Sequence, residues 1–264
     1  MSTLRSLMLI ATVSGAFALA PMIVGAQTAP ANRTPVLVEL FTSEGCSSCP
    51  PADALLAKFD QAQPIAGADI IILGEHVDYW DGQGWHDRFS SHQYTERQNN
   101  YCERLRVGTG SYTPQMIVDG TDQFVGNDAV HAVRAIEHAE QTPKLKLLLT
   151  QPVIDSKDGR KVSASVSLPA STVQTKGDLY AGLVDPTDST EVRGGENGGH
   201  LLHHAGVVRS LQRVGSLKEL GAKPLSFSMT APADAKPAGM RLVVFAQQSG
   251  QGAVLGAVST AITP

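Results

Sequence analysis

Two cysteines separated by two residues follow a short apolar segment and open a predicted helix. Val36 to Phe41 is apolar apart from Glu39, which is typical of a strand buried on both faces. Cys46 and Cys49 come next, and the two prolines after them stand where the first turn of a helix tolerates proline. A helix N-terminus favours the thiolate form of a nearby cysteine, and thiols at this spacing can close a small reversible disulfide. The pattern therefore predicts a redox centre formed by Cys46 and Cys49.

A lone Cys-x-x-Cys motif is compatible with other chemistry. No second CxxC is present to complete a four-cysteine zinc site. Soft thiolates suit copper(I), but His76, His86 or His92 would have to reach the two thiols to complete a copper site. A static disulfide in a non-catalytic binding module is a further alternative. A periplasmic copper metallochaperone and a binding module thus stay open beside the redox centre, and no metal or cofactor is assigned.

Three histidines follow the glycine-rich segment 194–199, namely His200, His203 and His204. Consecutive residues of a strand point to opposite faces, so His203 and His204 cannot converge on one metal. A metal site at this position is therefore disfavoured.

The N-terminus has the features of a secretory signal. Arg5 precedes an uncharged apolar stretch at residues 7–19, and small residues lead to a cleavage site near Ala26. Gly15 and Pro21 make the same stretch a poor membrane anchor. Residues 1–26 are therefore predicted to be removed, which leaves a periplasmic or secreted protein without a membrane segment.

The remaining cysteine is Cys102. Export places Cys46, Cys49 and Cys102 in an oxidising compartment, where an odd number of cysteines leaves one thiol unpaired. Free cysteines are more often small buried residues than reactive ones. Cys102 is interpreted either as such a residue or as a third redox thiol.

The composition and charge of the chain limit the kinds of partner that it can bind. Of 264 residues, 42% are hydrophobic and 17% charged, which predicts a packed globular core. The formal net charge is −4 and basic residues form no run, so nucleic acid is excluded as a partner. The expected partner is a protein or small molecule that carries a thiol or a disulfide.

The coarse order of elements predicts two domains. A second buried strand spans residues 69–77, and a hairpin turn at Asp119-Gly120 joins strands at 115–118 and 121–125. A helix capped by Asn127 or Asp128 follows. After Pro143, regular short strands with Gly, Pro and Asp turns favour an all-β sandwich. The predicted domains are 35–142, with an inserted segment near 79–112, and 143–264.

Two resemblances follow from these motifs. The order of elements in residues 35–141 resembles the thioredoxin fold, and four segments resemble the DUF1223 family of secreted bacterial proteins of unknown function. Those segments are residues 38–53, 76–80, 112–115 and 194–198. The thioredoxin resemblance implies an α/β thioredoxin-like N-terminal domain and the activity of a thiol-disulfide oxidoreductase. With the strand pattern after Pro143, the predicted fold is this domain followed by an all-β sandwich-like C-terminal domain.

The thioredoxin resemblance also implies roles for single residues. Cys46 would be the nucleophile and Cys49 the resolving thiol. Pro114 would be a cis-proline facing the disulfide, and Thr113 would offer its backbone to an extended substrate. Glu39 resembles a buried carboxylate that relays a proton, with burial raising its pKa. The two serines between the cysteines depart from the thioredoxin pattern and leave the reduction potential open.

The inserted segment 79–112 is unusually aromatic. It holds both tryptophans, Trp80 and Trp85, and four of the five tyrosines, including Tyr112. Aromatic side chains beside a redox site are typical of a substrate-recognising surface. A local aromatic core that covers the sheet is the alternative, and the two are compatible.

Overall fold

The computed structural model describes residues 33–169, 176–220 and 223–264. The predicted signal peptide, residues 1–26, lies outside the described residues. Residues Asn32–Pro264 form one compact unit. Within the described residues, no helix is long and apolar enough to cross a membrane.

The first half of the unit contains three α-helices and four strands. They are, in chain order, β1 (Thr34–Thr42), α1 (Pro50–Ala62), β2 (Ala68–His76), α2 (His92–Arg104), β3 (Gln115–Val118), β4 (Asp122–Val125) and α3 (Ala129–Ala139). The second half is built from strands: β5 (Leu148–Leu149), β6 (Val153–Ile154), β7 (Lys161–Ser167), β8 (Asp178–Glu191), β9 (Leu201–Ser216), β10 (Leu225–Thr230), β11 (Arg241–Gln247) and β12 (Val254–Ala261).

Local patterns predicted most elements of the first half, although α2 was not specified. Strands β1 and β2 pair in parallel, because the intervening helix α1 returns the chain to the same edge. The β3–β4 hairpin turns at Asp119 and Gly120, both of which have positive φ. The side chain of Asp128 caps α3 by accepting a hydrogen bond from the backbone N–H of His131.

The predicted fold class is wrong, because the two halves share one sheet. Eight strands lie in the order β12-β11-β8-β9-β2-β1-β3-β4, so strands on both sides of residue 143 belong to a single mixed sheet. The chain is therefore not a thioredoxin-like α/β domain followed by a β-sandwich. The link is a parallel pair between β2 and β9, with Gly74 opposite Val207.

The physical reason lies at the free edge of β2. An unpaired apolar strand edge exposes backbone donors and acceptors, and β9 covers that edge. The approach is close at Gly74, where a Cβ atom would lie 3.0 Å from the carbonyl oxygen of Ala205. The sequence pattern of β9 predicted a strand but did not indicate which strand it would pair with.

Helices and a small second sheet cover the large sheet. Apolar residues of α1 and α3 pack with Val36, Val38 and Leu40 on one face of β1. Leu37, on the other face, packs with Tyr94 of α2 and with residues of β9 and β11. Strands β10, β7 and β5 form the second sheet, with β6 paired to β7, and cover β8 and β11.

Strands β8 and β9 form a long antiparallel hairpin, with pairs from Asp178–Ser216 to Glu191–Leu201. With 14 and 16 residues, they far exceed the strand length of about 6 residues that is usual in proteins. The segment that joins them contains the glycine-rich loop, defined here as residues 194–199. The hairpin carries this loop from the second half of the chain to the Cys-x-x-Cys motif.

Candidate functional site

Cys46 and Cys49 form a disulfide, as the motif predicted. Cys49 is the N-cap residue of α1, and the two prolines after it occupy the first helical positions. The Cys49 N–H donates a hydrogen bond to the Cys46 carbonyl at 3.1 Å, which closes a tight turn. Both cysteines are buried, whereas Ser47 and Ser48 between them are exposed. The Ser48 hydroxyl lies 3.4 Å from Cys46 Sγ, within hydrogen-bonding distance of sulfur.

The glycine-rich loop holds the backbone of this turn. Asn197 Nδ2 donates hydrogen bonds to the carbonyl oxygens of Glu44 at 2.9 Å and Cys46 at 3.0 Å. Glu196 Oε2 accepts a hydrogen bond from the Ser47 N–H at 3.1 Å. The hydrogen bonds from Ser47 lower the pKa of the exposed Glu196 carboxyl. The backbone of the disulfide turn is therefore fixed by residues from the β8–β9 connection.

The segment around Trp85 supports the glycine-rich loop. A Cβ atom on Gly194 would collide with the carbonyl oxygen of Gly84, so only glycine permits this approach. Trp85 Nε1 donates a 2.7 Å hydrogen bond to Glu44 Oε2. Trp85 is thus half-buried, and its indole N–H is bound to the framework of the site.

A buried acid–base cluster lies beside the disulfide turn. It consists of two histidines and three acidic residues: Glu44, Asp53, His76, Asp87 and His204. The His204 ring lies between two carboxylates, with Nε2 3.6 Å from Glu44 Oε1 and Nδ1 3.7 Å from Asp53 Oδ1. These distances suit ion pairs and exceed hydrogen-bonding distance, and neither ring nitrogen has a hydrogen-bond partner.

A second pair completes the acid–base cluster. His76 Nδ1 and Asp87 Oδ2 are 2.7 Å apart, and the His76 and His204 rings meet edge to face at 4.8 Å. The same Asp87 oxygen accepts a hydrogen bond from the Glu44 N–H at 2.8 Å. The two histidines and three carboxyl groups therefore form one contiguous cluster, which includes His76 of β2 and His204 of β9.

Burial and charge compete in setting the pKa values of the cluster. Burial alone would lower the pKa of His204, but contacts with Asp53 and Glu44 outweigh it and raise the pKa to about 9. Burial alone would raise the pKa of Asp87, but His76 and two backbone N–H groups outweigh it and lower that pKa. His204 is therefore positively charged at neutral pH, and Asp87 is ionised.

The predicted proline lies near the first turn of α1. The Thr113–Pro114 peptide bond is cis, as predicted. A Cβ on Gly126 would lie 3.0 Å from Pro114 Cβ and 3.1 Å from Ala52 Cβ, which places both Pro114 and the first turn of α1 next to Gly126. Pro114 itself is buried.

The other predicted substrate-binding residues form a half-buried group beside Pro114. Trp80 Nε1 donates a 2.7 Å hydrogen bond to Thr113 Oγ1. The hydroxyl of Tyr112 donates to Gln123 Oε1 at 2.9 Å. These contacts fix the side chains in place and leave part of each at the surface.

Glu39 lies on the opposite face of the sheet from α1. It shares that face with Leu37 and Phe41, whereas Val38 and Leu40 pack against α1. Glu39 is buried in its own polar network. The structure does not bring it to the disulfide, and the acidic side chains beside the turn are Glu44 and Asp53.

The network around Glu39 centres on a buried ion pair. Arg97 Nε donates to Glu39 Oε1 at 2.7 Å, and the Tyr101 hydroxyl donates to Glu39 Oε2 at 2.6 Å. Gln247 Nε2 donates to the Tyr101 hydroxyl at 2.7 Å. Glu75 lies 3.5 Å from Arg97, and burial raises the pKa of Glu75 well above its ordinary value.

Cys102 is unpaired and buried in α2. Its Sγ lies 3.5 Å from Gln115 Oε1 and 3.6 Å from the Ser111 hydroxyl. It forms no disulfide with Cys46 or Cys49, which are bonded to each other.

The histidines considered for copper or another metal do not converge. His86 and His92 are exposed and lie near Asp81 and Asp78. His203 is exposed and His204 buried, so they do face opposite sides of β9. Across the described segments, no group of three or more His, Cys, Asp or Glu side chains is arranged to hold a metal ion.

Sequence reasoning missed several residues of this site. Glu44 and Asp53 flank the cysteines, so proximity in the chain was a signal that they belong to the site. Asn197 and His204 lie about 150 positions away. For Asn197 the signals were the glycines around it, which permit close approach to another backbone, and its place in segment 194–198, which resembles the DUF1223 family.

Fold and site together define a class of protein: a β-rich protein of mixed topology with a buried Cys-x-x-Cys disulfide beside an acid–base cluster. The family described as "Protein of unknown function (DUF1223)" matches residues 37–247, and the chain belongs to this family. No curated protein matches the sequence.

Solved structures are similar over most of the chain. A crystal structure of a protein from Agrobacterium tumefaciens is 27% identical, with a TM-score of 0.64, and the match covers 88% of this chain and 96% of that one. HBP35 of Porphyromonas gingivalis is 13% identical, with a TM-score of 0.56 and coverage of 87% and 76%. At that identity the second likeness concerns the fold alone.

Proposed function

We propose that this protein is an exported thiol–disulfide oxidoreductase that acts through the Cys46–Cys49 pair on a protein or small-molecule thiol or disulfide. The observation that carries the proposal is the position of the disulfide at the N-terminus of α1, beside a buried cluster of ionisable groups. A helix N-terminus stabilises a thiolate, and clusters of buried ionisable groups are typical of reactive sites.

The exchange proceeds in two displacements. A substrate thiolate attacks Cys46 Sγ, the Cys46–Cys49 bond breaks, and Cys49 leaves as a thiolate that takes up a proton. A second substrate thiolate then attacks the substrate sulfur of the mixed disulfide. Cys46 leaves as a thiolate and the substrate departs as a disulfide. This sequence oxidises a substrate dithiol, and the reverse sequence, which starts from the reduced pair, reduces a substrate disulfide.

A purely structural role explains this disulfide poorly. The two cysteines are three positions apart, and so short a loop removes little conformational entropy from the unfolded chain. The hydrogen bonds from Asn197 already fix the turn at Glu44 and Cys46. A bond that adds little to stability is better explained by its chemistry.

Burial of the cysteines sets a condition on the substrate. Ser47 and Ser48 are the exposed part of the turn, and the glycine-rich loop covers its backbone. Attack on Cys46 requires displacement of these contacts. A substrate that displaces these contacts can bind to the aromatic surface of the half-buried Trp80 and Tyr112.

The proposal includes location in the periplasm or outside the cell. The predicted signal peptide at residues 1–26 supports export. An oxidising compartment is also where the Cys46–Cys49 bond is maintained.

Trapping of a mixed disulfide tests the proposal. In a Cys102→Ser background, Cys49→Ser leaves Cys46 to attack a partner and removes the thiol that would release it. We expect this variant to accumulate mixed disulfides with exported proteins of its host, or with glutathione, detected by non-reducing electrophoresis and mass spectrometry. The matched control is Cys46→Ser, which should accumulate far less. Equal and negligible trapping by both variants would contradict the proposal.

A further inference from the structure

His204 is a buried charged group to which the exchange reaction, as written above, assigns no role. Its side chain is 2% exposed, and the residue belongs to β9, far along the chain from the cysteines. It lies between Glu44 and Asp53, and both of its ring nitrogens lack a hydrogen-bond partner. A buried polar group without a hydrogen bond is costly, so its presence calls for an explanation.

The two carboxylates beside His204 are tied to the two cysteines. Glu44 precedes Cys46 by two residues, and its carbonyl is held by the same Asn197 amide that holds the Cys46 carbonyl. The Asp53 N–H donates a 3.1 Å hydrogen bond to the Cys49 carbonyl. Glu44 and Asp53 thus belong to the two segments that flank the disulfide turn, one just before Cys46 and the other in the first turn of α1.

Reduction leaves two thiols at this turn, and ionisation of one of them adds a further negative charge. Two buried carboxylates near a thiol oppose its ionisation, because like charges raise a thiol pKa. A cation between the carboxylates compensates them and leaves the helix N-terminus free to act on the sulfur.

We infer that His204 is a positioning residue for the exchange: its positive charge, held between Glu44 and Asp53, lowers the proton affinity of the thiol that reduction creates at the Cys46–Cys49 turn. The inference rests on the proposed function and adds the group that makes the thiolate available. Exchange needs a thiolate, so His204 would control the rate at neutral pH.

The remaining charged groups around His204 are already paired. His76 contacts its ring edge and is bound to Asp87 at 2.7 Å. Arg209 reaches the neighbouring Phe89 ring and forms ion pairs with Asp185 and Asp234. The compensation of Glu44 and Asp53 therefore falls to His204.

Two variants with opposite expected effects test this inference. In the Cys102→Ser background, His204→Gln removes the cation, and Asp53→Asn removes one of the anions. We expect His204→Gln to raise the thiol pKa of the reduced pair and slow its alkylation at neutral pH by about tenfold, and Asp53→Asn to lower the pKa and speed alkylation. The pKa is read from the ultraviolet absorbance of the thiolate, which does not depend on reagent access.

The control is His203→Gln, which changes the exposed neighbour on the other face of β9 and should leave both measurements unchanged. If the role of His204 is merely structural, His204→Gln and Asp53→Asn should change the thiol pKa in the same direction, or not at all. Either result overturns the inference. If His204→Gln does not fold, Asp53→Asn and Glu44→Gln are measured instead, and both must lower the thiol pKa. A thiol pKa that is not lowered in these two variants also overturns the inference.

The exchange of the unsubstituted pair with glutathione is measured first, which separates the two proposals. Absence of exchange contradicts the proposed function and, with it, this inference. Exchange that persists while the variants show no opposite shifts contradicts the role of His204 alone.

Discussion

The side chain of Asn197 donates a hydrogen bond to the carbonyl oxygen of Cys46 at 3.0 Å, although the two residues are 151 positions apart. The same amide donates to the carbonyl of Glu44 at 2.9 Å. One side chain from the second half of the chain therefore closes the turn that carries the disulfide, and the candidate site exists only when both halves of the sheet are assembled.

Replacement of Asn197 tests whether the glycine-rich loop protects the disulfide. Asn197→Ala leaves the buried carbonyl of Glu44 without a partner and removes one of the two hydrogen bonds to the Cys46 carbonyl, which should lower the free energy of unfolding by about 1–3 kcal/mol. The loosened loop should also let dithiothreitol reduce the Cys46–Cys49 bond several times faster under native conditions. The control is Asn127→Ala, at an exposed asparagine. An unchanged reduction rate in Asn197→Ala would show that the loop does not control access.

The raised pKa of His204 predicts how stability depends on pH. Folding raises this pKa from 6.5 to about 9, so the folded state binds the proton more tightly than the unfolded state. The resulting stabilisation, up to about 3 kcal/mol, is fully present below pH 6.5 and is lost as the pH rises towards 9. Urea unfolding across this range should show the loss. The loss should be absent in His204→Gln and retained in His203→Gln; a similar slope in all three proteins would contradict the assignment.

The ion pair of Arg97 and Glu39 is predicted to be structural. Arg97→Met leaves Glu39 as a buried carboxylate without its cation, which should lower the free energy of unfolding by about 3–5 kcal/mol. Because Glu39 lies on the other face of the sheet from α1, Glu39→Gln should leave the equilibrium of the disulfide with glutathione unchanged. A clear shift of that equilibrium in Glu39→Gln would restore a proton-relay role for Glu39.

The buried thiol of Cys102 is predicted to be inert in the folded protein. With Cys46 and Cys49 oxidised, Ellman's reagent should detect no thiol before unfolding and one thiol per chain afterwards. Rapid reaction under native conditions would instead show that α2 opens or that Cys102 exchanges with the pair.

Elements that depend on neighbouring residues could be predicted from the sequence. The apolar runs of β1 and β2 and the turn at Asp119-Gly120 specify their structure locally. The CxxC spacing was sufficient to predict the disulfide. The pairing of Gly74 in β2 with Val207 in β9 was not predictable, because strand patterns show which faces are buried but not which edges meet.

The same limit applies to the site. Glu39 was chosen because it interrupts an apolar strand, yet strand alternation places it opposite Val38 and Leu40, away from α1. His204 was considered only as a metal ligand. Its position between Glu44 and Asp53 depends on the β2–β9 pairing, which the sequence did not predict, so the sequence assigned His204 no place beside the disulfide turn.

The equilibrium reduction potential of the Cys46–Cys49 pair tests the central claim most directly. It is measured by glutathione titration of the Cys102→Ser protein, with the dithiol and disulfide forms quantified after acid quenching and alkylation. A thiol–disulfide exchange protein should give a value between roughly −120 and −300 mV. A value below about −300 mV is typical of a structural disulfide and would contradict the proposed function.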